Sequence, residues 1–354
     1  MAASRKASSI LALTVLLSTL LFAACGNSST GEGKSEEKIV NIMGWANYLP
    51  PKVVDKFKEE TGIKINYSTI TSNAELMAKL SVGNHGFDIA IAGADFVETL
   101  MKTDKLEKIN KANIPNMKYI GKDFSGFPFD PNGDYFVPAY WGGEIIAVNE
   151  KLVDKPITGY KDLFDPMFQN SLVAVDDPHV MLGIMLGILG YSPNSTSEKE
   201  IKEAGELLKK LAPNIKSYEA SDADRLLASG EVKAGIVYNG KVPMARLENP
   251  AIKAVIPKEV LTLWQDNFVI PKGAEHIGNA EKFIDFLNRP EISRDITLEQ
   301  PYPSANVEAM KLLPDNVRQA MEVIPPAEIK RGTYLTDVEE ALQYYDRVWT
   351  EVKQ

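Results

Sequence analysis

Eight residues of this chain have the type and setting to recognise a cation. Trp45 and Tyr48 follow an apolar run at 39–43, and Asp176 and Asp177 follow another at 172–175. Tyr238 closes the run 234–238, Trp264 and Asp266 stand two apart ahead of 267–270, and Tyr302 lies between two prolines. Such a set suits an organic ammonium ion. Ring faces attract the cation, each by about 0.5–2 kcal/mol depending on desolvation. The ligand's methylenes pack on the rings, and a carboxylate accepts a charge-assisted hydrogen bond from the ammonium head. Each residue also has a plainer role. A Trp at a strand end is commonly core, Asp177 is placed to cap a helix, and Trp264 with Asp266 reads equally as a core ring and a solvated turn. On spacing alone the plainer roles are the simpler account.

Other chemistry is missing. There is no GxSxG elbow, no GxxxxGK[ST] loop and no GxGxxG. The three histidines, His85, His179 and His276, are far apart and show no HExxH spacing, and the single cysteine cannot supply a thiolate cluster, so no metal or cofactor is expected. Net charge is −9, with no basic stripe, which argues against nucleic acid and leaves cationic or neutral partners.

These residues need a scaffold, and the pattern of elements describes one. An apolar strand at 39–43 is followed by a helix at 51–61, opened by Pro50-Pro51 and stopped by Gly62. A strand at 63–68, a helix from the capping box Ser72-Asn-Ala-Glu75 to residue 82, and a strand at 87–92 ending at Gly93 complete a βαβαβ start. Further strands are predicted at 145–148, 172–175, 234–238, 252–255 and 267–270. Helices are predicted at 180–189, 199–211, 222–228 with Ser221 as N-cap, 281–287, 291–298 and 338–352. The class is α/β with largely parallel sheets.

The lone cysteine is explained by its neighbours. Arg5 and Lys6 precede an apolar stretch of thirteen residues at 10–22, too short to span a bilayer and suited to a signal peptide. Leu21-Phe-Ala-Ala-Cys25-Gly26 then resembles a bacterial lipobox, with Phe22 where Leu is more usual. The expectation is a signal peptide at 1–24, lipidation of Cys25, and a polar tether at 25–38. Cleavage leaves 330 residues with net charge −11, held outside the cytoplasmic membrane by the lipid anchor only.

From residue 39 onward the chain resembles the spermidine/putrescine-binding proteins of ABC transporters. The matching runs are Gly44-Trp-Ala-Asn-Tyr-Leu-Pro-Pro51, Phe57-Lys-Glu-Glu-Thr-Gly-Ile-Lys64, Phe87-Asp-Ile-Ala-Ile91, Tyr140-Trp-Gly142, Asp176-Asp177 and Leu189-Gly-Tyr-Ser192. Gly235-Ile-Val-Tyr-Asn-Gly240, Trp264-Gln-Asp266, Tyr302-Pro303 and Asn306 continue the match. The resemblance implies a bilobed periplasmic-binding-protein-like fold with the ligand in a cleft between two α/β lobes. It implies crossings near residues 142, 265 and 310, so the lobes would be 39–142 with 266–310, and 143–265 with 311–354. It implies a polyamine ligand, ABC permease partners, a monomer, and no catalysis.

Carried over position by position, Trp45, Tyr48, Trp264 and Tyr302 match aromatic site positions, Asp177 and Asp266 match carboxylates, and Ser221 matches a polar position. Tyr238 keeps a ring where the family often has Trp. Gly93 and Asp95 stand at Ser and Tyr places, Asn47 replaces an acid, Val180 a Glu, and Leu335 a Gln. Two aspartates balance a diamine; Asp95 supplies a third charge if its side chain faces the cleft. Two alternatives stay open: the same fold with another solute, including ferric iron through Tyr344-Tyr345, and a surface lipoprotein without a transport role.

Overall fold

The computed structural model describes residues 37–354, apart from Asn47, Ser72 and Pro301. The expected signal peptide, Cys25 and nearly all of the tether therefore lie outside the described residues, as do Asn47 and the first residue of the capping box.

Among the described residues ten strands are present: β1 Ile39–Trp45, β2 Lys64–Ile70, β3 Ile89–Gly93, β4 Phe136–Asn149, β5 Leu172–Ala174, β6 Ile215–Tyr218, β7 Ala234–Tyr238, β8 Ile252–Val255, β9 Thr262–Val269 and β10 Thr333–Tyr334. They run in the order β2-β1-β3-β9-β4-β7-β5-β6, with β8 beside β4 and β10 beside β9. The first three are mutually parallel, as the βαβαβ start requires. The fold is α/β and bilobed, because β4 changes partners midway. Its first part, Phe136 to Gly143, pairs antiparallel with β9; its second part, from Glu144, pairs with β7 and β8. One continuous strand thus serves two sheets.

Each sheet carries a large core cluster, and another cluster joins Trp141 and Leu263 of the first sheet to Ile145 and Val237 of the second. Val40, Ile42, Ile89, Ile91 and Phe268 pack with Phe57, Phe283 and Phe286 on the first. On the second, Ile146, Leu172 and Ile236 pack with the helix Pro178–Leu189, with Leu208, and with Tyr345 and Trp349 of the helix Leu342–Lys353. Local signals formed the helices as expected. Pro51–Thr61 begins on proline and ends at Gly62, whose φ of 71° suits a residue without Cβ. Asp177 caps Pro178–Leu189 by accepting the Val180 N–H at 3.0 Å.

Several expectations are corrected. The strand expected at 145–148 begins at Phe136, because fourteen consecutive buried residues override the breaking signals of Pro138, Gly142 and Gly143. The strand expected at 267–270 begins at Thr262, so Trp264 and Asp266 lie within it and not ahead of it. Ser221 does not cap the next helix. That helix is Ala223–Ser229 with Asp222 at its N-cap, while the Ser221 N–H donates to Glu219 Oε1. The C-terminal helix starts at Leu342, after a 3-10 turn Glu339–Ala341. A helix at Ala94–Lys102 was not expected; Gly93 at its N-cap offers no side-chain cap to announce it.

Candidate functional site

Strand β9 organises the site. Side chains along a strand alternate between faces, so residues two apart share one. Trp264 and Asp266 share a face, while Gln265 and Asn267 take the other and are wholly buried there. Gln265 Nε2 donates to Phe124 O at 3.1 Å and to Asn267 Oδ1 at 2.7 Å. Asp266 is flanked in register by Gly93 of β3 and Tyr140 of β4, and Trp264 by Gly142 of β4.

Glycine is required at two of these flanks. A Cβ at Gly142 would stand 2.5 Å from Trp264 Cζ2 and 2.1 Å from Asn239 Oδ1. A Cβ at Gly93 would stand 2.7 Å from Asp95 Oδ1. The indole and the Asp95 carboxylate occupy the space that these glycines leave.

Around Asp266 the Tyr48 hydroxyl donates to Oδ2, and the Tyr67 hydroxyl holds the Trp45 carbonyl at 2.6 Å. The Trp45 indole N–H faces Asp266 and lowers its pKa without reaching hydrogen-bond geometry. Burial outweighs both and pushes Asp266 up to about 6. Tyr48 packs edge-on against Tyr140, centroids 5.3 Å apart. Trp264 packs edge-to-face on Tyr302 at 5.0 Å and on Tyr238 at 6.1 Å. These contacts are edge-to-face, with the rings near perpendicular and not stacked.

The carboxylates come together electrostatically. Burial pushes Asp95 up to about 7, and the charges of Asp177 and then Asp266 push the same way, opposed by nearby backbone N–H groups. Asp95 keeps part of its surface accessible. Burial also drives the Tyr238 and Tyr302 phenols well above their usual range, with Asp177 the next cause for the first and Asp266 for the second. Eight of the nine expected positions therefore form one assembly: Trp45, Tyr48, Asp95, Asp177, Tyr238, Trp264, Asp266 and Tyr302. Ser221 is different. It is exposed, and its described bonds are made by its backbone, including a carbonyl that accepts Lys241 Nζ at 2.5 Å.

Asp176 points elsewhere and pairs with Lys353 at 2.7 Å. Tyr345 is fully buried, and its hydroxyl donates to Ser195 O at 2.8 Å, so the adjacent tyrosine pair is not an open metal site. Among the described residues no cluster of metal-ligating side chains occurs. Three participants went unassigned at the level of sequence: Tyr140, Tyr67 and Glu144. Glu144 carried a visible signal, a lone acid in the apolar run Gly142-Gly-Glu-Ile-Ile-Ala-Val148.

An inter-sheet site walled by aromatic rings and floored by carboxylates, on a bilobed α/β fold, defines a solute-binding protein. Residues 52–322 match the family described as bacterial extracellular solute-binding protein, and the chain belongs to that family. It is 35% identical to the spermidine/putrescine-binding periplasmic protein of Salmonella typhimurium, over 90% of this chain and 92% of that one. The solved structure of a putative spermidine/putrescine ABC transporter protein from Listeria monocytogenes superposes with a TM-score of 0.84 at 30% identity, covering 90% of this chain and 99% of that one. A lipoprotein of Treponema pallidum superposes at 0.80 with 26% identity, covering 89% and 99%. The family is one of transport binding proteins and not of enzymes. No helix among the described residues is long and apolar enough to cross a membrane.

Proposed function

We propose that this chain is the substrate-binding lipoprotein of a putrescine/spermidine ABC import system. It captures the amine between its lobes and delivers it to the permease subunits. One observation carries the reading: the Asp266 carboxylate, held by Tyr48 beside Trp45 and within electrostatic reach of Asp95, lies among the perpendicular rings of Trp264, Tyr302 and Tyr238. An ammonium there exchanges water for ring faces and ionised oxygens, and the amine's methylenes cover the apolar ring surface. The names of the relatives point to the same ligands.

In this reading the lobes are 39–142 with 266–310, and 143–265 with 311–354, and ligand shifts them toward a closed form that docks on the permease. The partner change within β4 supports the first crossing. The protein acts as a monomer without catalysis, cofactor or nucleic acid. The acylated Cys25 holds it at the outer face of the membrane, as the Treponema lipoprotein relative suggests.

A thermal-shift panel of putrescine, cadaverine, spermidine, spermine, sugars and ferric iron tests the proposal. An amine at a hundred times its Kd stabilises the fold by about 2.7 kcal/mol, an easily read shift. A flat response to every amine overturns it.

A further inference from the structure

Glu144 sits in the middle of the molecule, where β4 passes from one sheet to the other. It has no accessible surface, and neither carboxyl oxygen has a hydrogen-bond partner. In register it faces Tyr238 of β7. Period-two alternation sets it on the same face of β4 as Gly142, the residue beneath Trp264. The groups packed against it are few. Tyr160 donates its hydroxyl to the Glu144 carbonyl at 2.9 Å and leaves the carboxyl alone. The Thr262 hydroxyl of β9 lies near the carboxyl but outside hydrogen-bond geometry. Asp177 acts on it as a like charge, and its own charge acts on Tyr238 and Tyr302. No basic side chain is among the groups that act on it.

A buried carboxyl with only the Thr262 hydroxyl and its own backbone N–H nearby, neither in hydrogen-bond geometry, stays neutral, because these offset little of the lost hydration. At neutral pH the proton leaves when a positive charge arrives nearby, and the cleft beyond Tyr238 and Trp264 is where the proposed ligand brings one.

We propose that Glu144 is a charge-sensing residue of the cleft: it holds a proton while the cleft is empty and releases it when a polycation is seated, so that binding exchanges a carboxyl proton for ligand charge. The balance is simple. The O–H bond of the carboxyl breaks, the proton goes to solvent, and the carboxylate's new negative charge is set against the ligand's positive charge. The burial that pushes Glu144 up to about 8 agrees with a neutral acid at neutral pH. Since Glu144 touches the ligand through Tyr238 and the field and not directly, it is a positioning residue. The inference rests on the amine reading above.

The test is the proton count of binding. Calorimetric titration of the wild-type chain with spermidine, in two buffers of different ionisation enthalpy at pH 7, is expected to show proton release. Glu144→Gln is expected to bind spermidine with release smaller by about one proton, and with log K against pH flatter by about one unit between pH 6 and 8. Equal release by wild type and Glu144→Gln overturns the role of Glu144 and leaves amine binding standing. Absence of binding by wild type overturns the amine reading itself. Should the variant fail to fold, infrared difference spectra of Asp95→Asn at pH 7 decide, since Asp95 is itself raised to about 7 and would add its own band: spermidine is expected to remove the remaining protonated-carboxyl band and add a carboxylate band. No change in those bands overturns the proposal.

Discussion

Gly142 lies directly beneath the indole of Trp264. A Cβ there would come within 2.5 Å of Cζ2, so the ring rests on bare backbone of the neighbouring strand. The contact ties the wall of the site to the strand shared by both sheets. Gly142→Ala is expected to tilt the ring, at a cost in stability of about 1–3 kcal/mol, typical of forced overpacking. Spermidine affinity is expected to fall at least tenfold. Titration calorimetry alongside urea unfolding checks both, and unchanged affinity would show that the ring's position is not what the ligand needs.

Tyr48 and Asp266 form the buried hydrogen bond at the centre of the site. Asp266→Asn removes the charge an ammonium would meet, and Trp264→Ala removes a wall; each is expected to weaken polyamine binding by about 1–3 kcal/mol. Tyr48→Phe keeps the ring and loses the donor, so its effect is expected to be smaller than that of Asp266→Asn. Wild-type affinity in both Asp266→Asn and Trp264→Ala would displace the site.

The empty protein is expected to lose stability as pH rises. Burial raises Asp95 to about 7 and Asp266 to about 6, from ordinary values near 3.8. A folded pKa above the unfolded one contributes fully only below the unfolded value, and that contribution disappears as pH climbs through the folded value. The window opens near pH 4, and Glu144, raised by burial to about 8, extends it from 7 to about 8. Thermal melts of ligand-free protein at pH 5 and pH 8 read the effect, and saturating spermidine is expected to shrink the difference. A higher melting temperature at pH 8 would contradict the sign.

Asp95 is the acid most exposed to its like-charged neighbours. Asp95→Asn is expected to stabilise the empty protein at pH 8, where the wild-type carboxyl is ionised at a cost. It is also expected to weaken spermidine by about tenfold and putrescine by less, because a triamine uses the third charge. Equal losses for both amines would place Asp95 away from the third ammonium.

Much of this was readable from local chemistry. Pro51 and Gly62 bracket their helix as capping rules require, the first and third strands follow from apolar runs, and the second follows from alternation. Trp264, Asp266, Trp45, Tyr48 and Tyr302 stood out by type and by family resemblance. Ser221 does not cap its helix, because Asp222 takes the cap position that spacing gave to Ser221. The helix Ala94–Lys102 carried no cap signal, which hid the reason that Asp95 turns back over Gly93.

By itself, the sequence determined the α/β class, the helix ends and the kinds of side chain available for a cation, because these depend on neighbours a few residues away. The tertiary structure decided which acids share one site and how each is ionised. Asp177 and Asp266 act on Asp95 only because β3, β9 and the start of the helix Pro178–Leu189 converge. Glu144 stands unpartnered only because a fourteen-residue strand with Pro and Gly stays extended across both sheets. Burial and long-range charge set those pKa values, and neither is a property of the residues adjacent in the chain.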